Sequence, residues 1–366
     1  MPSARAAATP PTQESGEAPR IEQAQGLLAF CRPGFEAECA QELAALAAQR
    51  GTCGLARSQR GDGLAEFIGE DAARVGIGWE ETIFARQLLE LIGRAANLPA
   101  NDRLGVLLPL VEGDPRRWCD VRVEAPDSDA GRELAALCRG LTSALVAALK
   151  SRQRLDRRSP WRLHLCMTSG RSGLLAAVEV ARAPPWPGGI PRLKFPREAP
   201  SRSTLKLEEA LLVLLDEGER ERWLKPGMRA VDLGAAPGGW TWQLVRRSIH
   251  VTAVDNGPMD RALLDSGLVE QRREDGFRYR PVKAVDWLVC DMVEQPARVA
   301  ARMAEWLGNG WCRFAIFNLK LPMKKRYEEV QRCLARVREG APGVELRARQ
   351  LYHDREEITV FAHRPA

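Results

Sequence analysis

The segment Val231-Asp232-Leu233-Gly234-Ala235-Ala236-Pro237-Gly238-Gly239-Trp240 constrains this chain more than any other. An apolar run of strand character stops at a turn of small residues, and a helical pattern starts directly after it. Small residues at such a turn let a ligand approach the backbone, and free amides at the helix start favour a carboxylate or phosphate. The turn does not match the G-x-G-x-x-G spacing of a dinucleotide site. Around it, apolar runs near 229–233, 249–254, 287–290 and 313–319 alternate with helical patterns, the βαβ signature of an open parallel sheet. Two last runs, 345–352 and 357–362, are separated only by His353-Asp354-Arg355-Glu356. They predict a hairpin that places one antiparallel strand in an otherwise parallel sheet.

Two acids narrow the ligand to S-adenosylmethionine, whose methionine carboxylate suits the turn amides. Asp255 follows the second run, where a carboxylate at a strand end can accept from both ribose hydroxyls. Asp275 follows the next probable strand and is suited to the adenine amino group, or else is an ordinary turn acid.

The rest of the chain reads as follows. Residues 1–25 are polar and Pro-rich and predict a disordered tail. A strand, turn and helix over 27–46 with a returning run at 64–68 predict a small α/β lobe over 26–75. A second α/β unit is expected over 76–183, a Pro- and Gly-dense linker over 184–200, and the parallel-sheet domain over 201–366. No apolar run is long enough to cross a bilayer, and the start has no apolar leader. Nine cysteines without a C-x-x-C pair and only four His favour reduced thiols in a cytoplasm and no metal. The net charge is +6, but between Arg139 and Lys206 fourteen Lys or Arg face three acids, which suggests a surface for a polyanion. Within it, Arg152, Arg154, Arg157, Arg158 and Arg162 suggest a phosphate track; Trp186 and Trp240 are read as packing groups.

SRSTLKLEEA, DLGAAPGGW, Val254-Asp255-Asn256-Gly257-Pro258-Met259, Val289-Cys290-Asp291-Met292, Asn318-Leu319-Lys320-Leu321-Pro322-Met323-Lys324-Lys325-Arg326 and Tyr352-His353-Asp354-Arg355-Glu356-Glu357 together resemble the RlmM family, a branch of the FtsJ-like ribose methyltransferases. The resemblance runs from about residue 27 to the end and is densest after Gly189. It implies a Rossmann-like class I methyltransferase domain preceded by an α/β THUMP-type RNA-binding domain, and 2′-O-methylation of a cytidine in 23S rRNA; the expected partner is that RNA, free or in a pre-ribosomal particle, and a monomer is expected. Carried over by position, it implies a catalytic group of Lys206, Asp291, Lys320 and Glu357. It also implies cofactor contacts from Ser203, Ala236, Pro237, Gly238, Gly239, Asp255, Asp275 and Asp291. Ala236 stands where many members carry Cys, which a backbone contact tolerates.

A ribose 2′-hydroxyl is a poor nucleophile at neutral pH, so methyl transfer gains from a base within hydrogen-bond reach. Lys320 is the expected base, its proton loosened by nearby cationic Lys206 and by desolvation, with Asp291 and Glu357 orienting the group. Lys324, Lys325 and Arg326 follow it and are expected to hold phosphates. The place after the fourth strand holds Asp291-Met292-Val293-Glu294 rather than the Pro-Pro-aromatic loop typical of base-amine methylation. Cytosine C5 chemistry needs a thiolate, and Cys290 alternates away from Asp291. Two other classes compete: a ribosome assembly factor that binds RNA on a cofactor fold without catalysis, and a methyltransferase for proteins or small molecules. The four-residue group disfavours the first, and the basic segment the second.

Overall fold

The computed structural model describes residues 17–69 and 76–365. Among these, seven strands of the first half make one sheet: β1 (Arg20–Cys31), β2 (Leu55–Ser58), β3 (Leu64–Ile68), β4 (Ala85–Ala96), β5 (Asp120–Glu124), β6 (Trp161–Ser169) and β7 (Ser172–Glu179), in the order β2-β3-β1-β4-β7-β6-β5. Helices α1 (Glu36–Gln49), α2 (Arg103–Gly113), α3 (Asp129–Glu133) and α4 (Ala135–Ser151) accompany it. The continuous apolar run of β1 is buried on both faces: Leu27, Ala29 and Cys31 pack in one cluster with Cys39, Leu43 and Ala47 of α1, and Leu28 and Phe30 in another. On α4, Cys138, Leu141, Leu145 and Leu149 form the helical stripe that covers Val121, Leu163 and Leu165.

Two expectations are corrected here. The segment 1–25 is not all tail: residues 1–16 lie outside the described residues, but β1 begins at Arg20 and its first four residues pair with Gly93–Ala96. Those residues face solvent, so backbone pairing holds them and no apolar pattern announces it. Nor do 26–75 and 76–183 form separate units, because β1 pairs with β3 on one edge and with β4 on the other. Apolar periodicity reveals a strand but not its partners, so the boundary was placed in a connection that the sheet spans.

The second sheet holds β8 (Arg229–Leu233), β9 (His250–Val254), β10 (Val269–Arg272), β11 (Val285–Cys290), β12 (Cys312–Lys320), β13 (Glu345–Arg349) and β14 (Glu357–His363), in the order β10-β9-β8-β11-β12-β14-β13. The expected hairpin is present, and β14 inserts between β12 and β13, antiparallel to both. Helices α5 (Thr204–Leu214), α6 (Glu217–Trp223), α7 (Gly239–Val245), α8 (Arg261–Asp265), α9 (Pro296–Gly308) and α10 (Arg326–Gly340) cover it. Residues of β11 alternate between the two faces, Leu288 and Cys290 toward α9 and α10, Trp287 and Val289 toward α5 and α7. The strand order reverses between β8 and β11, and such a reversal opens a crevice at the carboxyl ends of the strands.

The halves are packed together. Phe35, Leu43 and Phe84 belong to the same core cluster as Val330 and Leu334 of α10. Glu42 of α1 accepts from the amides of Ile83 at 2.7 Å and Phe84 at 3.0 Å, and the Gln350 amide donates to the Ile83 carbonyl at 2.8 Å. The linker is ordered, with Ile190 and Ala199 buried. No helix among the described residues is long and apolar enough to cross a membrane.

Candidate active site

The turn after β8 requires its glycines. Gly234 has φ of 79° and Gly238 of 117°, both in the left-handed region, and a Cβ on Gly239 would collide with the hydroxyls of Ser201 and Ser203. Ser203 therefore sits against the turn, its Oγ 2.6 Å from that of Ser201. At the end of β9, Asp255 accepts from the Ala236 amide at 3.0 Å and from the Gly257 amide at 2.7 Å, one on each oxygen. Each oxygen keeps a lone pair for a further donor. Asp275 is exposed and accepts from the Phe277 amide at 2.9 Å. This is a backbone-lined cradle with one anchored carboxylate at the strand edge, and it fits a nucleoside with an attached amino acid.

Beside the cradle three of the four residues of the expected catalytic group are in contact. Lys206, in the first turn of α5, lies 3.2 Å from both oxygens of Asp291 and also pairs with Glu357. Lys320, at the end of β12, stands opposite Glu357 in the β12–β14 register, which puts the two side chains on one face of the sheet. No hydrogen bond or ion pair involves the Lys320 ammonium among the described residues, and one oxygen of Glu357, Oε2, is buried without a donor. Burial pulls the Lys206 pKa down, but Asp291 and then Glu357 outweigh it and hold it above the ordinary value. Burial pushes the Asp291 carboxyl up, against the opposing pull of Lys206. The expectation that Lys206 loosens the proton of Lys320 is weakened accordingly, because two carboxylates absorb its charge.

Three residues behind this group escaped the sequence reading. Asn318 donates to Asp291 at 3.0 Å, Thr359 donates to Asn318 at 2.8 Å, and the Thr359 hydroxyl also lies 2.9 Å from buried Asp354. A signal was present: Asn318 precedes Lys320 by two residues and Thr359 follows Glu357 by two, so strand alternation brings all four to one face. Cys290 is fully buried and burial pushes its thiol up to about 12, the opposite of an activated thiolate. Trp240 is buried in the core, as a packing group is.

The basic segments divide. Lys324 is exposed, but Arg326 turns inward, donating to the Gly34 carbonyl at 2.9 Å with its guanidinium 4.2 Å from the Phe35 ring centre. It joins the two halves and is not free for phosphate. Arg154 donates to the carbonyls of Val111, Asp114 and Arg116, and Arg162 is buried against Asp120, so these two leave the proposed track. Arg157 and Arg158 remain exposed. A cleft of about 990 Å³ lies between the halves, with Ser203 and Lys206 on one side and Arg32 and Arg86 on the other.

Residues 24–89 match the RlmM ferredoxin-like domain, 102–177 the N-terminal region of ribosomal RNA large subunit methyltransferase M, and 199–315 the FtsJ-like methyltransferase domain. The chain is 54% identical over 345 residues to the ribosomal RNA large subunit methyltransferase M of Xanthomonas oryzae pv. oryzae, covering 93% of this chain and 99% of that one. It is 53% identical over 346 residues to the protein of the same name from Xanthomonas campestris pv. campestris, covering 93% and 99%. Among solved structures, TrmN from Thermus thermophilus is similar at 19% identity with a TM-score of 0.35, covering 93% of this chain and 100% of that one.

Proposed function

Since the chain belongs to the ribosomal RNA large subunit methyltransferase M family, we propose that it methylates the ribose 2′-hydroxyl of a cytidine in 23S rRNA, using S-adenosylmethionine, with Lys320 as general base. The observation that carries this reading is the joint placement of Lys206, Asp291 and Glu357 in contact, with Lys320 opposite Glu357 and free of partners among the described residues. When bound, the cofactor supplies an electrophilic methyl on a sulfonium. Ser203, the backbone of Ala236, Pro237, Gly238 and Gly239, and the carboxylates of Asp255, Asp275 and Asp291 would hold it.

The roles divide by charge. Lys206 stays cationic between its two carboxylates and positions the incoming hydroxyl through Asp291 and Glu357. Lys320 takes the hydroxyl proton as oxygen attacks. The chain Thr359-Asn318-Asp291 keeps the carboxylate in one orientation. The high thiol pKa of Cys290 supports ribose over cytosine C5 chemistry.

The test is transfer of labelled methyl from S-adenosylmethionine to rRNA from cells lacking this protein, with assembling particles assayed in parallel, followed by nuclease digestion and mass mapping. A 2′-O-methylcytidine in 23S rRNA is expected. Label on a base would overturn the ribose mechanism.

A further inference from the structure

In β4 the ladder with β1 slips: Phe30 pairs with Gln87 and Cys31 with Ala85, leaving Arg86 as the extra residue of a bulge. Bulges re-aim the side chain they release, and Arg86 lines the cleft that also holds Ser203 and Lys206. Its side chain is only 5% exposed, yet Nε, Nη1 and Nη2 make no hydrogen bond. Asp127 is 3.8 Å away, and its other oxygen is taken by Arg192 at 2.9 Å. Burial, and next the like charge of Arg32, pull the Arg86 pKa down, against Glu209 and Asp127. Arg86 and Arg192 both lie near the ring of Tyr352, at 5.5 and 5.0 Å from its centre, which fixes the guanidinium in place.

A buried guanidinium with no hydrogen bond and a single distant carboxylate is costly, and the cost is met where a ligand brings the missing oxygens. A phosphate offers the oxygens that the rigid fork of Arg matches. We propose that Arg86, with Arg32 beside it, binds a backbone phosphate of the RNA and so sets the nucleotide presented to Lys206 and Lys320. The assignment rests on the reaction proposed above, and it makes Arg86 a positioning residue on the far wall of the reaction cleft.

The experiment is binding of transcribed 23S rRNA across a salt series by the full chain and by Arg86→Met and Arg86→Lys, with cofactor affinity and Tm measured on each. Arg86→Met is expected to bind roughly tenfold more weakly and to lower the slope of log affinity against log salt by about one, with cofactor binding unchanged. Its Tm stays level or rises, because the variant removes a buried charge that has no hydrogen bond, and Asp127 keeps its bond from Arg192. Arg86→Lys restores the slope. Equal affinity and slope in Arg86→Met and the parent chain overturn the assignment, as does a parent that binds this RNA without salt dependence. Methyl transfer is scored separately, so a parent that shows the slope but never labels ribose sinks the reaction and leaves the phosphate site standing.

Discussion

The Nζ of Lys206 stands 3.2 Å from both carboxylate oxygens of Asp291, a residue 85 positions away. Glu357 closes on the same ammonium from β14, so one cation separates two carboxylates that are 17% and 7% exposed. Lys206→Met leaves them facing each other. A loss of about 2 kcal/mol at pH 7 is expected, discounted from a fully buried pair for the partial exposure. Because burial already raises Asp291, and the variant lacks the opposing lysine, protonation relieves the repulsion as pH falls. Urea unfolding should show a smaller deficit at pH 5 than at pH 7; a larger one would contradict this account.

Lys320→Ala should bind S-adenosylmethionine with parental affinity by calorimetry and lose methyl transfer by at least about 100-fold. Lys320→Arg should be as inactive, since a guanidinium does not release its proton. Near-normal turnover in either variant removes Lys320 from the chemistry.

Gly239→Ala drives a methyl into Ser201 and Ser203 at the start of α5. Cofactor binding should weaken by roughly tenfold, about 1.4 kcal/mol, as the turn and Ser203 move apart. Circular dichroism should show the fold retained. Unchanged affinity would mean that this turn does not hold the cofactor.

Asp232 is fully buried, and burial raises its pKa to about 7 against the hydrogen bond from Thr241, with Asp291 adding to the rise. Between about pH 4 and 7 the unfolded chain has released this proton and the folded chain keeps it, so stability falls as pH rises through that window and levels off above it. Asp232→Asn keeps an acceptor for Thr241 and removes the titration. The Tm advantage of the variant over the parent should therefore grow from pH 5 to pH 8. A constant difference would place the titration elsewhere.

Local chemistry made much of the second half legible. A glycine turn that no larger residue can occupy, an acid at the end of the next strand and a regular alternation of strand and helix each leave a mark within a few residues. The period-2 pairing of Asn318 with Lys320 and of Glu357 with Thr359 was equally present in the sequence, and would have exposed the chain behind Asp291. Composition misled where a residue's role depends on a distant partner. Arg154, Arg162 and Arg326 count as positive charge in any basic segment, yet each donates inward to groups supplied by other elements.

The sequence by itself determined the class of the second domain and marked a small-residue turn for the cofactor, because these rest on local backbone geometry and strand periodicity, while the four polar residues proposed for catalysis came from the family resemblance of their motifs. Tertiary structure alone decided that one sheet joins the seven strands between Arg20 and Glu179, that two carboxylates clamp Lys206, and that a bulge places Arg86 at the wall of the cleft. The physical reason is that strand register and ion pairing are settled between segments far apart in the chain, where hydrogen-bond geometry and burial choose among many partners of similar composition.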